Sequence, residues 1–408
     1  MRILFLSNFY PPARPGGYTQ WCYEVAESLK ARGHTIGVLT SRHELGQMAG
    51  VEENVWRVLH LEADLLYYRP VHFFTRRRSQ HRQNLAYLRQ VVAGFQPNVL
   101  FVWGMWALSQ ALPALAERLL PSRVVYYLSD YWPSAIDMHT QYWRLPARRW
   151  LTRLPRQLLS AMALAMLARE GKPHLEFEHV ICVSAAVRQN LVEAGIPIRH
   201  ARIIHGGTQV TRFPNIPPGG GDGQLKLLVA GQLVPHKGIH TAIQAMAHLA
   251  HRHKIGSYSL ALVGSGQPAY EAHLRALVDR AGLTGQVTFH GRVSREDMPA
   301  LLQQFHVLVF PSIYAEPLAR VTQEAMACGL VVVGTTTGGT QEILVDGQNG
   351  LTFAPEDPEG LASQIERLAG DPTLRRRLAE AGRRTVLERF TLDRMVAEIE
   401  NYLRAVLS

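Results

Sequence analysis

Short apolar stretches of strand length alternate with helical stretches along almost the whole chain, in two series. Strands that alternate with helices predict βαβ units, because parallel strands need a crossover connection and a helix usually supplies it. Residues 213–223 separate the two series and are rich in Pro and Gly without hydrophobic periodicity, which is typical of a linker. The pattern therefore predicts an α/β fold of two Rossmann-like, doubly wound domains with parallel sheets.

The predicted domains are residues 1–212 and residues 225–389, with residues 213–224 as the linker between them. Residues 390–408 contain the last predicted helix, which we expect to return and pack on the first domain. In open parallel sheets, ligands bind beyond the carboxyl ends of the strands. We therefore expect two sheets that face each other across a cleft, with functional residues on the loops that follow strands.

The composition favours a protein with ordinary apolar cores and no metal centre. Of the 408 residues, 47% are apolar, which is usual for a globular protein. The three cysteines are far apart and form no C-x-x-C pair, so neither a zinc site nor a disulfide framework is indicated. The 18 histidines include no H-E-x-x-H pattern, and we predict neither an essential metal nor a cofactor.

The N-terminal residues and the hydropathy predict a cytoplasmic protein. The first residues form a predicted strand at once, without the layout of a signal peptide. The longest apolar helical stretch, residues 158–168, is too short to span a bilayer.

Positive charge is concentrated in the first domain. The formal net charge is +10, and no acidic residue occurs between Asp64 and Glu117 or between Asp137 and Glu170. Arginines and aromatic residues interleave in both stretches, a pattern that favours contact with an anionic membrane surface. An anionic acceptor, nucleic acid and a plain solvated helix face are the alternatives. No nucleic-acid recognition motif is present, so we predict that nucleic acid is not a partner.

The segment at residues 310–329 combines a predicted strand, a loop and a helix with two acidic residues. Glu316 lies on the loop, and Glu324 lies eight residues later on the helix. The first N–H groups of a helix have no intrahelical partners and favour phosphate. Carboxylates accept hydrogen bonds from sugar hydroxyls. The combination suits a nucleotide-sugar, although the helix macrodipole alone also favours acids near a helix start.

Further candidate residues lie on loops that follow predicted strands. Gly16 and Gly17 follow the first strand and allow close approach of the backbone to a ligand. Ser129 and Asp130 follow a later strand, where they are well placed to bind hydroxyl groups. Lys237 lies in a loop that opens a helix, which suits a diphosphate. A plain turn and helix capping are the alternatives for the glycines and for the aspartate.

Residues 264–269 match the loose dinucleotide pattern G-x-G-x-x-[GA]. The acid that this pattern requires about 20 residues later is absent, which disfavours a hydride-transferring dehydrogenase. Small residues in this loop favour space for a base or a ribose instead. Residues 334–342 form another Gly-rich loop, which either lines the cleft or allows close packing of a helix on the sheet.

The chain resembles the retaining glycosyltransferases of family 4 over its whole length, and this resemblance implies the two-domain GT-B fold. Its most specific motif is the E-x7-E element from Glu316 to Glu324. The other matching motifs are Gly16-Gly17, residues 183–187, Gly338-Gly339 with Glu342, residues 346–353 and Phe390-Thr391.

The resemblance implies that residues 1–212 bind the acceptor and that residues 225–389 bind the nucleotide-sugar donor. It also implies a role for each candidate residue. Glu316 would contact hydroxyl groups of the donor sugar, and Glu324 would hold the ribose hydroxyls. The backbone at residues 319–321 would meet the phosphates together with Lys237, and the backbone around Val293 would pair with the base. The implied catalytic residues are Glu316, Asp130 and Ser129, and the implied donor-binding residues are Gly16, Gly17, Gln232, Lys237, Val293, Leu318, Ala319, Arg320, Val321 and Glu324.

Three positions depart from the family pattern. The family usually has Arg where Gln232 stands, and Arg320 is a candidate to supply the missing charge at the diphosphate. The family tends to have His where Ser129 stands, beside the donor sugar. Its Glu-Pro-Phe-Gly pattern is Glu-Pro-Leu-Ala here, so that Ala319 is slightly bulkier than Gly near the phosphates.

We therefore predict a retaining glycosyltransferase of the hexosyltransferase type. It would move a sugar from a nucleotide-diphosphate donor to a hydroxyl group of a lipid-linked or cell-surface glycan precursor, at the inner face of the membrane. A soluble small-molecule acceptor is the alternative for the acceptor. A nucleotide-sugar epimerase and a non-catalytic binding homologue are the alternatives for the activity.

Overall fold

The computed structural model describes residues 1–12, 16–43, 52–62, 68–146, 153–215, 224–252 and 257–408. Most of the predicted linker, residues 216–223, lies outside the described residues. The chain divides into two compact units, Met1–Ile204 with Val396–Ser408, and His205–Met395. The boundary between Ile204 and His205 lies before the predicted linker at residues 213–224. The boundary between Met395 and Val396 lies a few residues after residue 390, the predicted start of the segment that returns to the first domain.

The described residues of the first unit form a sheet of seven parallel strands. They are β1 Arg2–Leu6, β2 Thr35–Ser41, β3 Val55–Leu59, β4 Val99–Val102, β5 Val124–Leu128, β6 His179–Cys182 and β7 Arg202–Ile203. The order in the sheet is β3-β2-β1-β4-β5-β6-β7, so the strand order reverses between β1 and β4. Every residue of β4 and β5 is buried, as expected for parallel strands with helices on both faces.

Seven helices of the first unit connect or flank these strands within the described residues. They are α1 Gly17–Ala31, α2 Pro70–Thr75, α3 Arg77–Phe95, α4 Ala111–Leu119, α5 Met138–Arg144, α6 Arg153–Glu170 and α7 Ala185–Glu193. The helices α2, α5 and α6 share a small aromatic core with Phe73, Trp143 and Ala163 at its centre. Phe73 and Trp143, two of the aromatic residues in the acid-free stretches, are therefore buried against α6 instead of lying at the surface.

In the second unit, the part of the chain that the structure describes forms a six-stranded parallel sheet. Its strands are β8 Leu225–Ala230, β9 Tyr258–Val263, β10 Val287–Gly291, β11 Val307–Phe310, β12 Val331–Gly334 and β13 Leu351–Thr352. Its helices are α8 Ile239–Arg252, α9 Pro268–Arg280, α10 Met298–Leu302, α11 Arg320–Ala327, α12 Pro358–Gly370, α13 Pro372–Arg389 and α14 Leu392–Leu407, the last of which extends beyond the division at Met395. The sheet order is β10-β9-β8-β11-β12-β13, and the strand order reverses between β8 and β11.

The predicted fold class of two doubly wound α/β domains is confirmed, and the differences from prediction are local. The sequence did not predict β3, because four of its five residues are only partly buried and the apolar pattern is weak. The helix predicted at residues 295–304 is shorter in the structure, where it is α10. Ser294 and Asp297 form a turn before it, in which the Asp297 N–H donates to Ser294 Oγ at 3.1 Å.

Candidate functional site

Two loops of the second unit meet where the strand order of its sheet reverses. The loop after β8 carries Lys237, and the loop after β11 carries Glu316. Lys237 Nζ lies 2.5 Å from Glu316 Oε1, and Ser312 Oγ donates to the same oxygen at 2.6 Å. The carboxylate is only 7% exposed. In open α/β sheets, ligands bind beyond the carboxyl ends of the strands, at the point where the strand order reverses. This ion pair lies at that point, so it marks a candidate ligand-binding site.

This ion pair differs from the separate roles predicted for its two members. The resemblance implied that Lys237 meets the phosphates and that Glu316 meets the sugar, whereas the structure joins the two side chains directly. The physical reason is the topology, because β8 and β11 are neighbours in the sheet and their following loops start side by side. The pair therefore presents an ammonium and a carboxylate at one place.

The Gly-rich loop after β12 supports the main chain of Glu316. The Gly339 N–H donates to the Glu316 carbonyl oxygen at 2.6 Å, and Thr335 Oγ1 donates to the Ser312 carbonyl oxygen at 2.6 Å. Gly338 has a φ of +57°, and a Cβ atom there would lie 2.4 Å from the Glu316 carbonyl oxygen. A side chain at residue 338 would displace the loop that carries the acid, so these two glycines position Glu316.

Glu324 lies inside the second unit at the middle of α11, and two arginines hold it. Arg320 Nε lies 2.8 Å and Arg295 Nη2 lies 2.6 Å from Glu324 Oε1, and the glutamate is 3% exposed. Burial by itself would raise the pKa of Glu324, but the two guanidinium groups bring that pKa below its usual value. The acid is therefore ionised and held in one orientation.

The side chain of Arg320 is 7% exposed and binds Glu324. The reason is the i, i+4 spacing on α11, which places the two side chains one above the other. The expected role of Arg320 at the diphosphate, in place of the family's missing arginine, stays a prediction. Gln232, the residue that stands for that arginine, is exposed in the loop after β8. Lys237 remains the cation nearest to Glu316 among the contacts within the described residues.

The remaining predicted donor-binding residues lie near the same edge of the sheet. Leu318 and Ala319 are buried, and Ala319 is the N-cap residue of α11, where an alanine supplies no side-chain cap. Val321 lies in the first turn of that helix and is partly buried. Val293 follows β10 and is also partly buried, two residues before Arg295. The structure thus places these positions on loops and helix starts that follow the strands β10 and β11.

Two further residues of the second unit belong to the site and were missed. Arg295 was not singled out because nothing in the sequence links it to Glu324, which lies 29 residues away. His205 Nε2 lies 2.8 Å from Glu342 Oε2, in the motif that includes Gly338-Gly339. Both contacts join segments that are distant in sequence, and only the tertiary structure shows them.

The first unit brings its predicted residues to the carboxyl ends of β1 and β5. Gly16 is the N-cap residue of α1 and Gly17 is its first residue. Ser129 and Asp130 directly follow β5, and Asp130 Oδ1 accepts a hydrogen bond from the Trp132 N–H at 3.0 Å. Burial raises the pKa of Asp130 to about 6. Ser129 Oγ is buried and has no hydrogen-bond partner within the described parts of the chain.

Asn8 and Tyr18 lie at the same edge and were not predicted. Asn8 Nδ2 donates to the Trp106 carbonyl oxygen at 2.8 Å and to Tyr18 Oη at 3.1 Å. Burial raises the pKa of Tyr18, and the nearby charge of Asp130 raises it further. Asn8 follows the first strand and stands at the reversal point between β1 and β4, so the fold rule could have identified it.

No group of three or more His, Cys, Asp or Glu side chains in the described ranges is arranged to hold a metal ion. None of the described helices is both long enough and apolar enough to cross a bilayer.

Two protein-family models together match most of the chain. Residues 217–385 match the family model described as "Glycosyl transferases group 1", and residues 15–212 match the model described as "Glycosyltransferase Family 4". An uncharacterized glycosyltransferase of Methanocaldococcus jannaschii is 25% identical over 100% of this chain and 99% of its own length. The glycogen synthase of Mycobacterium tuberculosis is 26% identical over 96% of this chain and 91% of its own length.

The fold also has solved relatives. The Anabaena protein HepE, in complex with UDP and glucose, superposes with a TM-score of 0.71 at 20% identity. The superposition covers 99% of this chain and 100% of that protein. At this identity the likeness establishes the shared fold and nothing further.

Proposed function

Because the chain belongs to the family 4 glycosyltransferases, we propose that it moves a sugar from a nucleotide-diphosphate donor to a hydroxyl acceptor with retention of configuration. The observation that carries this proposal is the meeting of Lys237 and Glu316 at the strand reversal of the second sheet, beside the start of α11. A cation, a carboxylate and a helix N-terminus together suit a sugar that is linked to phosphates.

The proposed chemistry is electrostatic. Negative charge grows on the departing phosphate as the sugar leaves, and Lys237 with the backbone at the start of α11 stabilises it. Glu316 accepts hydrogen bonds from hydroxyl groups of the donor sugar, and Glu324 accepts them from the ribose. The acceptor hydroxyl gives its proton to the leaving phosphate, so no protein base is required.

We further propose that neither a metal nor a cofactor is essential. Lys237 supplies a positive charge at the place where phosphates would bind, which a divalent cation supplies in many other phosphate sites. The transfer rate is therefore expected to stay unchanged in excess EDTA. A rate that falls with EDTA and returns with Mg²⁺ would contradict this part of the proposal.

Donor identity is the first point to test, and a panel of nucleoside diphosphates and their sugars tests it. A ligand that binds only the folded state raises the midpoint of thermal unfolding. UDP and UDP-sugars come first, since HepE was solved with UDP and glucose. We expect one nucleotide to raise the midpoint and the Lys237→Gln variant to reduce that shift. No shift with any nucleotide would remove the donor from the proposal.

Consumption of the donor that this panel identifies distinguishes a transferase from an epimerase and from a non-catalytic homologue. A transferase consumes donor at a rate that depends on the acceptor, whereas an epimerase converts the donor sugar without any acceptor. A non-catalytic homologue binds nucleotide without turnover. Product analysis by mass spectrometry with and without a lipid extract or a soluble acceptor distinguishes the three and identifies the acceptor class.

We propose that the acceptor is lipid-linked and that the first unit docks on an anionic membrane through α6. Leu154 and Leu158 are each 74% exposed on this helix and Met162 is 48% exposed, at a spacing of four residues that places them on one face. The opposite face includes Ala163 and packs on the aromatic core around Trp143. An amphipathic helix of this kind can lie in a bilayer interface.

Charge complementarity supports a bilayer as the partner of this face. The 32 residues between Asp137 and Glu170 contain no acid, and Arg153 and Arg169 lie near the two ends of α6. Each basic residue near an anionic surface contributes about 1 kcal/mol to attraction. The cytoplasmic leaflet is the anionic surface available to a cytoplasmic protein, so we place the protein at the inner face of the membrane.

Co-sedimentation with phosphatidylglycerol vesicles tests the docking. Replacing Leu154 and Leu158 together by serine is expected to weaken binding at least about tenfold, because burial of each leucine contributes about 1.5–3 kcal/mol. Leu387→Ser, at a residue of α13 that is 44% exposed, is the matched control and should bind like the parent. Raising the salt concentration should also weaken binding. Equal binding by the double variant would remove α6 as the docking element.

The raised pKa of Asp130 predicts an acidic limb in the pH profile of sugar transfer. With a pKa of about 6, only about a tenth of this carboxyl is ionised near pH 5. If the ionised form binds the sugar hydroxyls, the transfer rate at about pH 5 is expected to be roughly tenfold lower than at neutral pH. The Asp130→Asn variant should have a low rate without this limb. A wild-type rate that is unchanged down to pH 5 would contradict the role.

A further inference from the structure

The first unit contains a cavity of about 1230 Å³ that the proposed chemistry does not yet use. It lies beyond the carboxyl ends of β3, β4 and β5, between the helices α3 and α6. Pockets for small ligands are typically about 300–1,000 Å³, so this cavity has room for more than a monosaccharide. Its position at the ends of parallel strands is the one where this fold class binds ligands.

Acidic residues of the cavity are already engaged. Arg77 Nη1 donates to Glu170 Oε2 at 2.7 Å, and Arg77 Nη2 donates to Glu170 Oε1 at 2.5 Å. Arg78 Nε lies 3.5 Å from Glu170 Oε1. Asp137 caps α5 by accepting from the Thr140 N–H at 2.8 Å. Burial raises the pKa of Glu62 to about 7, and the Asp137 charge adds to this effect, so Glu62 is partly protonated at neutral pH.

Basic residues of the cavity are in excess. Arg82, Arg144 and Lys172 line it, and none of them has an ion-pair partner among the contacts within the described ranges. Arg78 also lines it, and 68% of its side chain is exposed. Cations that line a concave surface raise the local concentration of anions. The cavity therefore favours an anionic ligand over a neutral one.

The other lining side chains favour a sugar. Trp106 lines the cavity and is 42% exposed, whereas Trp132, which also lines it, is 5% exposed. An exposed indole offers a flat apolar face on which the C–H face of a sugar ring can stack. Side chains that can donate to and accept from hydroxyl groups line the same cavity. They are Gln80, Ser109, Gln110, Thr140 and Gln141.

We propose that this cavity binds the acceptor and that the acceptor is a sugar bearing a phosphoryl group. This inference rests on the proposed function, because a transferase needs an acceptor site distinct from its donor site. A phosphoryl group carries a charge of about −1.5 to −2 at neutral pH and three acceptor oxygens, which suits several cations better than a carboxylate does. The phosphoryl group belongs either to a soluble sugar phosphate or to a lipid carrier.

Isothermal titration tests the proposal with glucose 1-phosphate, glucose 6-phosphate and mannose 6-phosphate, each beside its neutral sugar and inorganic phosphate. At least one sugar phosphate is expected to bind ten times more tightly than its neutral sugar and than inorganic phosphate. The Arg82→Gln/Arg144→Gln variant is expected to lose at least tenfold in that affinity, and Trp106→Ala is expected to weaken it as well. Arg89→Gln, two turns further along α3 and outside the cavity, is the matched control and should bind normally.

Three results would overturn the proposal. The first is the absence of binding both by all three sugar phosphates and by vesicles that carry a lipid-linked sugar phosphate, or equal binding of a sugar phosphate and its neutral sugar. The second is inorganic phosphate that binds as tightly as the sugar phosphates, since the cavity would then be an anion site without sugar recognition. The third is an Arg82→Gln/Arg144→Gln variant that loses binding to phosphatidylglycerol vesicles but keeps its affinity for the sugar phosphate, since these cations would then serve the bilayer alone.

Titration of the panel of nucleoside diphosphates and their sugars in the same preparations separates this proposal from the proposed function. A protein that binds a nucleotide but no sugar phosphate keeps the donor site and loses only the acceptor assignment. A protein that binds a sugar phosphate but no nucleotide keeps the cavity and loses the transferase chemistry. Vesicles that carry a lipid-linked sugar phosphate, compared with soluble sugar phosphate, identify which source of the phosphoryl group the cavity prefers.

Discussion

The Glu316→Gln variant is expected to transfer sugar at least about 100-fold more slowly than the parent protein. The substitution keeps the shape of the side chain and an oxygen that accepts from Ser312, but it removes the charge that pairs with Lys237. Loss of one fixed polar partner at a reaction centre typically costs about 100- to 1,000-fold in rate. The transfer rate with saturating donor and acceptor measures the effect.

Its matched control is Glu359→Gln, which changes an exposed glutamate in the first turn of α12. This control should transfer sugar at the parental rate. Thermal unfolding of both variants separates a loss of chemistry from a loss of folding. If Glu316→Gln retains full turnover, Glu316 has no part in the reaction and the proposed site is wrong.

Replacing Glu324 by leucine is expected to destabilise the second unit by about 3–5 kcal/mol. The substitution leaves Arg320, which is 7% exposed, and Arg295 without their shared carboxylate, and an uncompensated buried charge is costly. Chemical denaturation at neutral pH measures the free energy of unfolding. Glu388→Leu, at an exposed position of α13, is the control and should change that free energy little.

Two further measurements identify the cause. A double variant with Arg320→Met and Glu324→Leu is expected to recover part of the lost stability, because one of the two arginines that lost the Glu324 carboxylate is then removed. The pKa of Glu324 is lowered in the folded protein, so its ionised form stabilises the fold above the usual glutamate pKa, and this contribution decreases as the pH falls through the folded pKa. The parent should therefore lose more stability on acidification than the Glu324 variant does. Equal stability of parent and variant at neutral pH would show that the arginine contacts contribute nothing.

Individual elements show how far the sequence alone could go. The strands β5, β11 and β12 were predicted to the residue because each is a short, wholly apolar run that ends at a polar or Gly-rich loop. The helix α13 was not predicted, because arginines dominate its sequence and its apolar face is narrow. The strand β3 was missed because it is only partly buried. Prediction was therefore reliable where burial on both faces imposes a clear pattern.

In the candidate site, the sequence identified the loops that carry the functional residues but not the contacts that their side chains make. The loops that carry Lys237, Glu316, Ser129 and Asp130 could be identified because each follows a strand, and parallel strands bring their carboxyl ends to one edge. The partner of each side chain could not be identified. Arg295 reaches Glu324 from another loop, and the Arg320 side chain takes the same partner.

The order of apolar and polar residues by itself determined the two parallel sheets and the edge of each sheet at which function lies, because hydrophobic periodicity and crossover connections depend only on neighbours along the chain. Only the tertiary structure decided which charges pair, which aromatic residues are covered, and that a basic cavity forms in the first unit. Those features depend on distances between side chains from separate segments. Burial makes such contacts strong, but no pattern in the linear sequence encodes which of several arginines will reach a given carboxylate.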